Sequence, residues 1–268
     1  MADKDTAPLG PVQQTLFIPL AARAREARRR RPALRDPRAV EIARTVDFDA
    51  KYGRGAGGTV TVLRTVILDA WVRDFLAAHP AGTVVEIGTG LNSRFERVDN
   101  GQAHWIDLDL PDTIELRRKF FADTDRRRMA AASVLEGEWL KIAAQSPGPY
   151  FFVTDGVLVY LTEEQVSTFL TRIKNHFPNA LIALDTYPRR IVDRQHKMAA
   201  RRNIPATFAW ACDDPRSLER LGLRVVESTG LARPPAAVHR QLPARYRYLL
   251  PLAEPILGQA MRVTLLQA

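Results

Sequence analysis

The sequence predicts an α/β protein: a doubly wound sheet preceded by a helical cap. Three observations carry this reading. From Thr83 onward, short apolar runs alternate with helical stretches; the residues before them read as helices; and a Pro-rich segment separates the last two runs. Runs that are apolar on both faces and separated by amphipathic helices belong to a sheet covered on both sides, which favours parallel strands.

Each element has its own signal. Gln13 to Arg31 sets Leu16, Leu20, Ala24 and Ala27 at helical spacing, and Arg28-Arg29-Arg30-Arg31 with Pro32 stops it. The four arginines read as a solvated helix end, where cations suit the backbone dipole. Asp36-Pro37 is an N-cap and first-turn pair opening a second helix. Gly53, Gly55, Gly57 and Gly58 predict a loop, followed by a long helix with Leu63, Ile67, Ala70, Trp71, Phe75 and Ala78 on one face. Strands are expected at Thr83–Ile87, Ala103–Leu108, Tyr150–Thr154, Ala180–Leu184, Leu223–Val226 and Val263–Leu266. Thr162 and Gln165 form a capping-box pair ahead of a stripe of Val166, Phe169, Leu170, Ile173 and Phe177. Pro234, Pro235, Pro243, Pro251 and Pro255 predict an irregular insertion before the last strand. No internal repeat or low-complexity tract interrupts the pattern.

Composition narrows the function classes. The 268 residues are 46% hydrophobic, enough to build a core. A single cysteine, Cys212, excludes an internal disulfide framework and a Cys-rich zinc site. No apolar run reaches the roughly 20 residues of a bilayer span, and the early chain has no apolar signal core. The expectation is a cytoplasmic protein without a membrane partner, as a monomer or homodimer. The net charge of +9 comes from 33 Arg and only 6 Lys. This reflects either a coding bias or an acidic partner, nucleic acid or small anion, and charge alone does not choose.

The most informative segment is Thr83-Val84-Val85-Glu86-Ile87-Gly88-Thr89-Gly90, a strand running into a Gly-x-Gly turn. Asp109 ends the next strand, at about the 20-residue interval of nucleotide-binding fingerprints. Glycines let a ligand approach the backbone, and the carboxylate accepts ribose hydroxyls. Two ligands use this layout, dinucleotides and S-adenosylmethionine. The third glycine of the dinucleotide pattern is replaced by Ser93. Glu86, just before the first glycine, would repel a pyrophosphate but suits a ligand bearing an ammonium and a sulfonium. Asp155, after the strand Tyr150–Thr154, adds a third acid to the same rim. S-adenosylmethionine is therefore the expected cofactor, with S-adenosylhomocysteine as its product; an NAD(P)-dependent oxidoreductase is the alternative.

The sequence resembles the leucine carboxyl methyltransferase superfamily, in the branch of tetracenomycin-type polyketide carboxyl O-methyltransferases. The resemblance runs from Thr15-Leu16-Phe17-Ile18-Pro19-Leu20-Ala21-Ala22-Arg23-Ala24 through Arg31-Pro32-Ala33-Leu34 and Asp36-Pro37 to Val62-Leu63-Arg64-Thr65-Val66-Ile67-Leu68-Asp69. It continues over the glycine motif, Asp109-Leu110-Pro111, and Asp155-Gly156 to Tyr160-Leu161. It implies a Rossmann-like, seven-stranded class I methyltransferase fold. It further implies that Arg64 binds the cofactor's carboxylate, that Gly88 and Gly90 line it, and that Asp109 takes the ribose. Ser133 and Val134 fall near the adenine, and Asp155 near the amino-acid end. Where many members carry Asp-Thr-Arg after the glycines, this chain has Asn92-Ser93-Arg94.

The expected activity is methyl transfer to an oxygen, foremost a carboxylate, of an acidic small molecule. A carboxylate is ionised at neutral pH and needs no base; for a phenol, Tyr187 and His196 are the candidates. Arg189, Arg190, Arg194, Arg201 and Arg202 are candidates to hold the acid. Residues 1–80 are expected to form a cap over the S-adenosylmethionine-binding unit 81–268, with 186–215 and 230–260 as substrate-side insertions. Two further readings stand beside this one: a binding-only protein with the same fold, and a nucleic-acid methyltransferase. The second lacks the expected polar motif, since Asp155-Gly156-Val157-Leu158 resembles none, so no nucleic-acid partner is expected.

Overall fold

The computed structural model describes residues 9–10, 12–48, 54–202, 206–257 and 260–268, apart from the side chains of Ala56, Arg201, Arg202 and Ile256. A 3-10 turn at Gln13–Leu16 leads into α1 (Phe17–Ala27), which ends before the arginine run, and α2 (Pro37–Thr45) follows. Asp36 caps α2 by accepting a hydrogen bond from the Ala39 amide at 2.8 Å. Next comes α3 (Gly55–Ala78). The glycines at 55, 57 and 58 are thus its first turn and not the expected loop; Gly53 lies outside the described residues. Apolar side chains on several sides of α3, among them Leu63, Leu68, Trp71, Val72 and Phe75, are buried. Packing of this helix between the sheet and α1 outweighs the low helix propensity of its glycines.

The sheet is built from β1 (Thr83–Ile87), β2 (His104–Asp109), β3 (Arg127–Ala131), β4 (Tyr150–Thr154), β5 (Leu181–Thr186), β6 (Arg224–Gly230) and β7 (Arg262–Gln267). Their order is β3-β2-β1-β4-β5-β7-β6. β1 to β5 pair in parallel. β7 runs antiparallel to both β5 and β6, so the sheet is mixed where the apolar runs taken alone favour parallel strands. Between the strands lie α4 (Arg94–Val98), α5 (Pro111–Arg118), α6 (Glu138–Ala143), α7 (Glu163–His176) and α8 (Arg189–Arg202). The capping box forms as expected: Gln165 N–H donates to Thr162 Oγ1 at 3.2 Å, and Thr162 N–H to Gln165 Oε1 at 2.8 Å.

Each sheet face carries its own apolar core. One gathers Leu63, Ile67, Phe75, Val84, Phe151 and Val263 under α3. The other gathers Val85, Ile106, Trp139, Phe152, Phe169 and Ile182 under α6 and α7. The Pro-rich insertion is helical, not irregular, forming α9 (Ala236–Gln241), α10 (Ala244–Leu252) and α11 (Glu254–Leu257). Pro235 and Pro243 occupy N-cap positions, where a missing N–H costs nothing. Val238, Leu242, Tyr246 and Leu250 join the core that contains α3. Glu26, buried at the end of α1, accepts from Arg245 Nη2 at 2.5 Å and from the Tyr246 hydroxyl at 3.0 Å. No described helix is long and apolar enough to cross a membrane.

Candidate functional site

In a doubly wound sheet, ligands bind beyond the carboxyl ends of the strands where the order reverses. Here the reversal lies between β1 and β4. A cavity of about 610 Å³ opens at that point, lined by the Gly88–Gly90 turn, Asp109, Ser133, Val134, Asp155, Gly156 and Tyr187. Its size is that of a small-molecule site. The N-terminal segment lines one side with Thr15, Leu16 and Arg23, and α3 contributes Val60, Thr61 and Arg64.

The turn after β1 depends on glycine. Gly88 and Gly90 have φ of 64° and 49°, a region that side-chain-bearing residues adopt at a cost. A Cβ on Gly88 would also come within 2.2 Å of Val157 Cγ2. The loop carbonyls are held from behind: Arg117 Nη1 donates to Gly90 O and Asn92 O, each at 2.8 Å, and Arg23 Nη2 donates to Leu91 O at 2.8 Å. From the front, Asp109 accepts the Gly90 and Leu110 amides at 2.7 Å each. Burial pushes the Asp109 carboxyl up to about 6, against the pull of those two amides.

A chain of buried ion pairs backs the other end of the cavity. Arg64 pairs with Asp155 through Nε, and its Nη1 donates to Asp185 at 2.9 Å and to the Tyr187 hydroxyl at 2.7 Å. Arg94 reaches Asp69 at 2.8 Å, Glu86 at 2.6 Å and Asp155 at 3.0 Å. Arg97 links Asp69, at 2.7 Å, to Asp36, at 2.9 Å, and Asp36 pairs with Arg23 of the cap at 3.1 Å. Buried charges are tolerated only when paired in this way. Burial raises the Asp155 carboxyl, but Arg64 and Arg94 outweigh it and hold the group below its ordinary value. Burial pushes the Tyr187 phenol well above its usual range, with Arg64 opposing.

The structure therefore brings together Arg64, Gly88, Gly90, Asp109, Ser133, Val134, Asp155 and Tyr187 around one cavity. Glu86 is not among the lining residues. It sits behind the glycine turn, bound by Asn92 Nδ2 at 2.7 Å and by Arg94, and burial raises it to about 7. His196 is also elsewhere, on exposed α8 with its ring nitrogen against the Phe208 carbonyl. Arg189, Arg190 and Arg194 are exposed on the same helix and do not line the cavity; the Arg201 and Arg202 side chains lie outside those described. Of the two insertions, 186–215 supplies Tyr187 and Phe208, whereas no described residue of 230–260 lines the cavity. Sequence reasoning missed Arg23, Asp185, Tyr160 and Phe208. Asp185 carried a legible signal: it follows an apolar strand run just as Asp109 and Asp155 do.

The sequence profile of the leucine carboxyl methyltransferase family matches residues 17–174. The tetracenomycin polyketide synthesis O-methyltransferase TcmP of Streptomyces glaucescens is 34% identical over 236 residues, 86% of this chain and 87% of that protein. The S-adenosyl-L-methionine-dependent methyltransferase dpfgK of Gibberella zeae is 28% identical over 241 residues, 81% of this chain and 80% of its own length. Among solved structures, a DUF574 family protein from Streptomyces avermitilis superposes with a TM-score of 0.58 at 14% identity. That likeness spans 92% of this chain and 96% of the other.

Proposed function

Since this chain belongs to the leucine carboxyl methyltransferase family, we propose that it methylates a carboxylate oxygen of a small natural product of polyketide type. The family uses S-adenosylmethionine, and the chain has its seven-stranded Rossmann-like class I sheet. The nicotinamide alternative finds no support: Ser93, standing where that pattern needs glycine, is buried and donates to Asp36 at 2.6 Å. The polyketide class is supported by the function named for TcmP, and the carboxylate by the carboxyl chemistry named for the matched family.

The residues present fit the donor. At Gly88 a side chain would collide with Val157, so the turn keeps its wall open for a close-lying ligand. Asp109 satisfies two amides and still faces the cavity, with lone pairs left for ribose hydroxyls. Leu110, Val134 and Leu135 give an apolar surface for a base, and Ser133 offers a hydroxyl. Arg64 and Asp155 present both signs of charge to a zwitterionic amino-acid end. Bound S-adenosylmethionine supplies a methyl group already activated by its sulfonium.

What remains for the protein is to align the acceptor and exclude water, worth up to about 7–11 kcal/mol for well-oriented reactants. Thr15, Leu16, Ile18 and Pro19 of the cap cover the cavity and serve that exclusion. The observation that favours a carboxylate over a phenol is the state of the two candidate bases. Tyr187 is held protonated by burial, and His196 is bound outside the cavity. A carboxylate acceptor needs neither.

The test is incubation with methyl-labelled S-adenosylmethionine and a panel of aromatic carboxylic acids and phenols, followed by mild base. The expected product releases its label as methanol on base treatment, as an ester does. A base-stable methyl product would refute the carboxyl assignment while leaving the family assignment intact.

A further inference from the structure

An anionic acceptor would be expected to meet a cation, and the cavity offers none that is uncommitted among the described residues. Its only cations there are Arg23 and Arg64. Arg23 is engaged by Asp36 and the Leu91 carbonyl; Arg64 is engaged by Asp155, Asp185 and Tyr187. Three polar groups on the acceptor side are similarly engaged. Tyr187 accepts from Arg64 at 2.7 Å. Thr15 donates to the Val12 carbonyl at 2.6 Å. Thr61 donates back to Gly57 O at 3.0 Å.

What the acceptor side does offer is a wall of rings. Phe208 packs edge-on against Tyr160, with centroids 5.5 Å apart, and tilted against Tyr187, at 5.2 Å. All three line the cavity, and the wall begins beside Arg64 through the Tyr187 hydroxyl. Leu16, Ile18 and Val60 face the same space. Rings held by one another make a rigid apolar surface with little entropy left to lose on binding.

We propose that the Tyr160–Phe208–Tyr187 wall is the acceptor subsite and that it reads a flat apolar ring system. Recognition then rests on the body of the acid more than on its charge. Phe208 is the residue that sets specificity. The inference rests on the carboxyl-methylation reading and adds to it which feature of the acid is bound.

The experiment uses the full chain saturated with S-adenosylhomocysteine and titrates in 2-naphthoate, anthracene-2-carboxylate and heptanoate by calorimetry. Salt is raised from about 50 to about 500 mM, enough to screen exposed ion pairs strongly. The two ring acids are expected to bind at least about tenfold more tightly than heptanoate, with affinities that hold or improve as salt rises. Phe208→Ala is expected to weaken both ring acids about tenfold and to leave S-adenosylhomocysteine binding unchanged; Phe208→Leu, which keeps the bulk, isolates the ring itself. The proposal is overturned if affinity falls steeply with salt, if heptanoate binds as well as the ring acids, or if neither ring acid binds the loaded protein. A chain that fails to take up S-adenosylhomocysteine overturns the underlying functional reading, and this inference with it.

Discussion

Gly88→Ala tests the architecture of the glycine turn in two separable ways. Alanine at φ of 64° carries a backbone cost of about 1–2 kcal/mol. Its methyl would also approach Val157 Cγ2 to 2.2 Å and Cγ1 to 3.2 Å, an overlap of the overpacking kind worth about 1–3 kcal/mol more. The total, about 2–5 kcal/mol, should appear in urea unfolding monitored by tryptophan fluorescence. Val157→Ala removes both γ carbons and leaves only Cβ, at 3.3 Å from the added methyl. In that background Gly88→Ala should cost only the backbone share, so the cycle yields a coupling of about 1–3 kcal/mol. Calorimetry with S-adenosylhomocysteine adds a second readout, since the methyl also crowds the turn against which the donor is proposed to lie. Equal costs in the two backgrounds would refute the clash, and a single variant as stable as the parent would refute the whole description of the turn.

Other expectations follow from the charged groups. Asp109 must be ionised to accept two ribose hydroxyls, and burial raises it to about 6; donor affinity, measured by calorimetry from pH 8 to pH 5, should therefore weaken below about pH 6, and Asp109→Asn should flatten that profile. Burial raises the Glu86 pKa from 4.5 in its ordinary state to about 7. A raised acid stabilises the fold below the lower value and loses that contribution as pH climbs through the higher one. Relative to Glu86→Gln, the parent should thus lose up to about 1.4 kcal/mol per pH unit between 4.5 and 7 in denaturant titrations. Arg117→Met strips two loop carbonyls and Asp107 of their buried partner; a loss of about 3–5 kcal/mol is expected in the same assay.

How far the sequence reached depended on the kind of signal. β1 and β4 were legible to the residue, because apolar runs on both faces bounded by turn residues have few other readings. β3 was not picked out. It begins with Arg127 and Arg128 at the sheet's edge, where one side of the strand has no partner and its side chains do not have to be apolar. The direction of β7 was hidden too, since an apolar run reads the same both ways. The first turn of α3 was lost to local propensity, which tertiary packing overrode. Among the cavity residues, glycines and strand-end acids announced themselves by position. Arg23 and Phe208 did not, because they arrive from a helix and a loop whose approach to the cavity is decided by packing far from either. The arginine excess was legible as a number and not as a place: Arg23, Arg94, Arg97 and Arg117 are buried among carboxylates, not displayed to a partner.

The position of β7 between β5 and β6 has a consequence for biosynthesis. As the chain leaves the ribosome, β5 offers an open edge and β6 has no strand to join until Arg262–Gln267 have been made. During those seconds of translation the nascent molecule is a half-closed ribbon with a sticky border. A premature stop shortly before Arg262 would therefore remove more than one strand: it would strand β6 as well, and should yield inclusion bodies in place of a slightly shortened enzyme.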